Sequence, residues 1–443
     1  MPMSNNLQMI DTLIHAKWVI PVEPAGLVLS NHSVAIHQQK IVAILPTEQA
    51  RQQYQAKQEI SRKQHALIPG LVNTHTHVAM NLLRGFADDL GLMTWLQEYV
   101  WPAEKAHVSP EFVRAGSELA IAEMIKGGVT CFNDMYFFPE QTAEVAAHAG
   151  IRAFVGAALM GFPTAWATDD EDAIAKGLAL RDKYQHNDLI NVTLAPHAIY
   201  TVPEASLRRV AEVSREYHLG INIHVQETAD EVNNSIAQTG KRPLARLQEY
   251  GVNCDRMISV HMTQMTDEDI HILAESGASV VHCPESNMKL ASGYCPVTRL
   301  VDAGINVALG TDGAASNNDL SMLGEMRSAA LLSKLMTGNP EALPATLALQ
   351  MATLNGAKAL GMEQHIGSLT VGKSADIVAI DLEQLNTVPV YHPISQIVYA
   401  ASRDQVTDVW VAGKALLTNK NLTTLDEPAL LALAAHWQGK ISA

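Results

Sequence analysis

Between residues 66 and 311 the chain repeats one alternation eight times: a short apolar run, then an amphipathic stretch long enough for a helix. The runs are Ala66–Thr74, Val129–Asp134, Ile151–Ala157, Ile190–Ala195, Gly220–Val225, Met257–His261, Ala278–His282 and Ile305–Thr311. Most are apolar along their length rather than on alternate residues, as strands read when both faces are covered. Parallel strands need a crossover helix to reach their neighbours, so eight such units predict an α/β chain folded as a (β/α)8 TIM barrel. Local punctuation agrees. Ser109-Pro110-Glu111 supplies an N-cap, an N1 proline and a first-turn acid ahead of Phe112–Lys126, which Gly127-Gly128 ends. Val202-Pro203-Glu204 opens another helix that runs to His218, and the last barrel helix is expected over about Pro344–Leu360.

The ends of the chain read differently. Residues 9 to 66 carry the short β-rich pieces Asp11–His15, Ser33–His37 and Ile41–Leu45 with no convincing helix between them, which predicts an antiparallel sheet. The β pattern returns in Ser374–Asp381 and Val406–Ala412. Sheet at both ends predicts a small composite β-sandwich domain from residues 1–66 and 367–443, flanking a barrel over 67–366.

Composition narrows the partners. Of 443 residues, 47% are hydrophobic and 17% charged, enough apolar surface for a large core. A formal charge of −15 repels phosphate backbones and anionic bilayers, so neither nucleic acid nor a membrane is an expected partner. No apolar run reaches the length of a membrane span, and Met1–Gln8 has neither the basic nor the apolar region of a secretion signal. Cys131, Cys254, Cys283 and Cys295 form no CxxC pair and read as reduced thiols of a cytoplasmic protein.

Several strands end in residues that bind metals. The first ends in Asn73-Thr-His75-Thr-His77, and residues i and i+2 of a strand point to one side, so both imidazoles face one place. In a β/α barrel that place is the C-terminal mouth, where active sites sit. The fifth strand ends in His224-Val-Gln-Glu227, the sixth in His261 and the eighth in Gly310-Thr-Asp312. His75, His77, His224 and Asp312 make a three-nitrogen, one-oxygen set suited to one divalent ion. Zinc is expected, and ferrous iron or manganese suits the same donors. His261 reads as a fifth ligand or, by preference, as a group that orients water beside the ion, and Glu227 as the proton handler, or else as an acid at the start of the next helix. The expected chemistry is activated water attacking an electrophilic carbon, with Asp312 taking the water proton and Glu227 protonating a ring nitrogen and then the leaving group.

Together Pro69–His77, His224–Glu227, His261 and Gly310–Asp312 resemble the amidohydrolase superfamily over nearly the whole chain. No lysine stands in Thr193-Leu-Ala-Pro-His197, where a two-metal member would carry a bridging one, so the resemblance implies a single metal. More narrowly, Met80-Asn-Leu-Leu-Arg-Gly85, Trp101-Pro-Ala-Glu104, Ala195-Pro-His197 and His282-Cys-Pro-Glu-Ser-Asn287 are similar to the 5-methylthioadenosine/S-adenosylhomocysteine deaminases. That resemblance implies a small-molecule nucleoside substrate, a homodimer or homotetramer, ribose binding by Glu104, and contact of His197 with purine or sugar. Glu227 and Asp312 would touch the substrate as well. The Leu92–Trp101 stretch, read as a loop, would form an apolar lid over the 5′ substituent. Leu159–Trp166 lacks the arginine that such deaminases often carry after the third strand, which favours 5′-methylthioadenosine over S-adenosylhomocysteine.

Other readings separate on context. Gly367-Ser-Leu-Thr-Val-Gly-Lys373-Ser374 fits the P-loop pattern by letter, but Ala375–Asp381 alternates as a strand where a P-loop needs a helix. The His-x-Glu and Pro-Cys-x-x-Cys signature of the other zinc deaminase fold is missing. A sister hydrolase acting on guanine, cytosine or a triazine would share the metal set and Glu227. A scaffold without catalysis would lack ligands, and none is lacking.

Overall fold

A computed structural model describes residues 7–442; the reading of the amino terminus as free of a secretion signal lies mostly outside them. The chain builds two eight-stranded sheets. The barrel strands are Leu71–Thr76, Val129–Tyr136, Arg152–Leu159, Ile190–Pro196, Ile221–Val225, Met257–His261, Ser279–His282 and Val307–Leu309, neighbours in chain order. All their pairings are parallel. Every residue of the first three is buried, as strands between a packed interior and a helix layer must be. Two asparagines inside find partners within the barrel: Asn73 Nδ2 donates to Thr311 Oγ1 at 2.8 Å, and Asn133 Nδ2 to the Thr74 carbonyl at 3.0 Å.

The last strand closes on the first where the chain turns into the mouth. Thr76 and Asp312 form a parallel bridge, and Asp312 N donates to the His75 carbonyl at 3.0 Å. Gly310 permits this approach, because a Cβ there would lie 2.9 Å from His75 N. The ladder is thinnest between the fourth and fifth strands, which share only Leu194↔Ile221 and a bridge at Ala198↔His224. Helices end as their sequences predict. Ser109 Oγ accepts from Phe112 N at 3.2 Å and starts Pro110–Lys126, and Glu204–Tyr217 stops at His218, which is left-handed.

The second sheet joins both termini. Ile377–Asp381 pairs antiparallel with Tyr54–Pro69, and Val406–Val411, Lys414–Thr418 and Asn421–Leu422 continue outward. On the other side come Gln8–Val19, Leu29–His37 and Lys40–Pro46. The N-terminal strands are not all antiparallel, contrary to the sequence reading: Gln8–Val19 runs parallel to Tyr54–Pro69, and the connection contains the helix Thr47–Gln53. That helix buries only Ala50, so it carries no apolar period to read.

Two further stretches differ from expectation. Leu92–Trp101 is helical rather than a loop: Leu92–Thr94 leads into a π turn, Trp95–Val100, and then Trp101–His107. The expected helix over Pro344–Leu360 is two, Ala345–Met351 and Leu354–Ala359. The Gly367–Ser374 segment leads into a strand, and Lys373 Nζ is held by Ser368 Oγ at 2.7 Å and Glu23 at 3.3 Å.

Candidate active site

The barrel mouth gathers the expected ligand residues. The donor atoms of His75, His77, His224 and Asp312 all lie within 4.8 Å of one another. His77 Nε2 is 3.1 Å and His75 Nε2 3.4 Å from Asp312 Oδ1, and His224 Nε2 is 3.1 Å from His75 Nε2.

The far side of each ring explains why these nitrogens turn inward. His77 Nδ1 donates to the Met135 carbonyl at 2.6 Å and His224 Nδ1 to the His197 carbonyl at 2.7 Å, so both Nε2 atoms carry free lone pairs. The Asn222 amide lies 3.3 Å from His75 Nδ1, and its Oδ1 has no other partner. With that amide turned to accept from His75 Nδ1, the third lone pair also faces the centre. Two lone pairs opposed at 3.1 Å repel unless a cation lies between them, so the donor set fits a divalent metal. Asp312 is fixed from behind: its Oδ2 accepts from Ser286 Oγ at 2.7 Å and Ser316 Oγ at 2.9 Å. Its backbone is left-handed (φ 61°), as is that of His261 (φ 76°), and such strain persists where the surroundings over-determine it.

Glu227 stands just past the fifth strand and is buried. It does not cap the following helix. Thr228 accepts from Glu231 N, and the Glu231 carboxylate takes the Gln226 and Glu227 amides at 2.9 and 2.8 Å. The Glu227 side chain is therefore free to face the mouth, with Ser292 Oγ donating to Oε1 at 3.1 Å and His261 Nε2 3.6 Å from Oε2. Burial pushes its carboxyl up to about 8; the charge of Asp312 adds to the rise and Ser292 opposes it. His261 Nδ1 meets the Asn287 amide at 3.0 Å. Burial holds His261 down to about 4 and His197 down to about 3, so both are neutral imidazoles.

A cavity of about 720 Å³ leads out from this cluster. Glu104 projects into it from the helix Trp101–His107 and accepts from Tyr136 Oη at 2.7 Å; burial pushes its carboxyl up to about 7. His197 lines the same cavity and donates from Nδ1 to Thr201 Oγ1 at 3.0 Å, leaving Nε2 as an acceptor. Leu92, Trp95, Leu96, Val100 and Trp101 form an apolar wall. No arginine or lysine lines this cavity among the described residues.

All eight residues singled out in the sequence thus meet at one mouth, seven lining the cavity and His75 completing the ligand cluster behind them. Sequence reading missed the groups that hold them: Asn222, Ser286, Ser292, Ser316 and Tyr136. Asn222 had a signal, standing two residues before His224 on the same face of its strand, and Ser316 stands one helical turn beyond Asp312. Ser292 and Tyr136 had none.

Comparison with known proteins gives consistent results. Residues 66–416 match the amidohydrolase family. A 5-methylthioadenosine/S-adenosylhomocysteine deaminase from Teredinibacter turnerae is 48% identical over 438 residues, 99% of each chain. Its counterpart from Saccharophagus degradans is 46% identical over 98% of this chain and 97% of its own. A crystal structure of an adenosine deaminase from Xanthomonas campestris with bound zinc superposes with a TM-score of 0.97 at 50% identity, covering 98% of this chain and 99% of that one. The atrazine chlorohydrolase of Arthrobacter aurescens, complexed with zinc, has a TM-score of 0.90 at 24% identity over 96% of this chain and 100% of its own, a likeness of fold alone.

Proposed function

The chain belongs to the amidohydrolase family, and from that membership and the geometry of its mouth we propose a metal-dependent hydrolytic deaminase of adenine-type nucleosides, with 5′-methylthioadenosine the preferred substrate. One observation carries this reading: Glu227 and Glu104 enter the same cavity as the four-ligand cluster, one beside it and one farther out. Barrel residues 67–366 hold the chemistry, and 1–66 with 367–443 make the composite β-domain. No described helix is long and apolar enough to cross a membrane, and the four free cysteines support a cytoplasmic setting. A homodimer or homotetramer is part of the same proposal.

His75, His77, His224 and Asp312 hold one divalent ion, zinc by preference, and that ion supplies the Lewis acidity that makes water a nucleophile near neutral pH. The remaining work falls to side chains. Asp312 accepts a proton from the attacking water. Glu227, kept as the neutral acid by burial, protonates a nitrogen of the adenine ring and so draws electrons away from the carbon under attack. His261 faces the same point and orients the incoming oxygen. A carbon–oxygen bond forms; Glu227, now a carboxylate, takes the proton of the new hydroxyl and passes it to the exocyclic nitrogen, whose bond to carbon breaks as ammonia leaves, while the ring nitrogen keeps its proton and the one held by Asp312 restores Glu227.

Farther out, the Glu104 carboxylate accepts from the two adjacent ribose hydroxyls, and His197 Nε2 accepts from substrate beside it. The apolar wall from Leu92 to Trp101 covers a small 5′-thioether. Free bases and triazines offer no hydroxyl pair, and a site that leaves Glu104 unpaired disfavours them. A panel of methylthioadenosine, adenosine, S-adenosylhomocysteine, guanine, cytosine and a chlorotriazine, followed by ultraviolet absorbance, tests the assignment. The expected result is turnover of the 6-amino nucleosides, methylthioadenosine foremost. Preference for guanine, cytosine or the triazine rejects it.

A further inference from the structure

Past Leu92 and Tyr200 the catalytic cavity adjoins a second one of about 780 Å³, and these two residues line both. Beyond Met93 and Ile199 the lining of the second is polar, and one of its carboxylates, Glu231, is already taken by the Gln226 and Glu227 amides. Asp230, Asn234 and Gln238 face it at intervals of four residues along the helix Ala229–Thr239, so they form one stripe on a single side. The helix starts two residues after Glu227, so the stripe begins beside the acid of the catalytic cavity. Arg246, from the helix Pro243–Glu249, closes the far side. Its Nε donates to Tyr250 Oη at 3.3 Å and one Nη to Ser235 Oγ at 3.1 Å, which fixes the guanidinium. The other Nη makes no hydrogen bond among the described residues, and neither does the Asp230 carboxylate.

We propose that this second cavity receives the zwitterionic end of an amino-acid-bearing 5′-thioether, its α-carboxylate on Arg246 and its α-ammonium on Asp230, with the Asn234 and Gln238 amides between them. The assignment rests on the nucleoside-deaminase reading. With the purine at Glu227 and the ribose at Glu104, the 5′ group leaves past Leu92 and Tyr200. A methylthio group ends at that apolar threshold, and a homocysteine-length group passes it. No cation lines the catalytic cavity, so Arg246 is the positive charge that such a carboxylate meets. The arginine missing after the third barrel strand is thus replaced from beyond the fifth.

The test is the ratio of kcat/KM for S-adenosylhomocysteine to that for 5′-methylthioadenosine, in the wild type and in Arg246→Met. The ratio is expected to fall roughly tenfold, through KM rather than kcat, the loss typical of one charge-assisted hydrogen bond. Asn234→Ala alters an exposed position on the same stripe and should lower the ratio about threefold, a check that does not depend on how Arg246→Met packs against Tyr250. An unchanged ratio in both variants overturns the proposal. So does a wild type that deaminates methylthioadenosine but not S-adenosylhomocysteine, a result that leaves the deaminase reading standing. A wild type that deaminates neither nucleoside removes both.

Discussion

In the sheet built from the two termini, Arg62 grips the buried Asp408 through N–H bonds of 2.7 and 2.6 Å. At the barrel mouth Glu227 is just as buried, yet its neighbours are a hydroxyl at 3.1 Å and a neutral imidazole at 3.6 Å. Glu104 has only a phenol. The terminal sheet matches charge with charge, so its carboxylates stay ionised and their loss is a loss of stability. Glu227 and Glu104 at the mouth face no arginine or lysine, so burial raises their affinity for protons into the range where carboxyls exchange them. Similar residue types therefore form a fixed ion pair in one sheet and, on the proposed reading, serve substrate and proton transfer at the mouth of the other.

That contrast can be broken most sharply at the metal set. His75→Ala should abolish both metal binding and turnover while the fold survives, as read by elemental analysis and circular dichroism; a variant that retains metal and rate would detach the cluster from catalysis. Glu227→Gln comes next. It keeps shape and hydrogen bonding but carries no transferable proton, so kcat should drop about 10²–10⁴-fold with metal content unchanged. Near-normal kcat would leave Glu227 without a part in the reaction. On the other side of the comparison, Arg62→Ala strands the buried Asp408 and should lower unfolding free energy by about 3–5 kcal/mol while kcat of the folded enzyme holds. A fall in kcat without a fall in stability would contradict the division of labour.

The smallest expected effect is a pH dependence at Glu104. Its carboxyl titrates near 7, raised by burial, and only the ionised form is a full acceptor for ribose hydroxyls. KM for nucleosides should therefore fall as pH rises through about 7, and Glu104→Ala should raise KM by roughly tenfold and erase that inflection. An unaltered KM profile in the variant would remove Glu104 from substrate binding.

How far these roles could be read in the sequence depends on how local their causes are. Barrel strands announce themselves because both faces are buried, and His75 and His77 share a face by the two-residue period alone. The parallel pairing of Gln8–Val19 with Tyr54–Pro69 stayed hidden, since its crossover helix Thr47–Gln53 buries one alanine and shows no amphipathic period. Leu92–Trp101 did carry a readable signal, since Leu92, Trp95, Leu96 and Val100 stand at helical spacing and line the cavity while Gln97 and Glu98 face outward, and the loop reading passed over that period. Ser292 reaches Glu227 from 65 positions away, a distance at which sequence carries no trace of contact. The side chains that gather at the mouth were legible; the ones that hold them there were visible only once the chain had folded.

On the proposed reading one metal, held by His75, His77, His224 and Asp312, serves the deamination of an adenine nucleoside. Ammonia release from 5′-methylthioadenosine, measured beside metal content before and after chelation, tests it most directly. The expected result is one divalent ion per chain, ammonia formed in equal amount to the inosine product, loss of turnover on chelation and recovery with one equivalent of zinc. Two ions per chain, or ammonia release that survives removal of the metal, would contradict it.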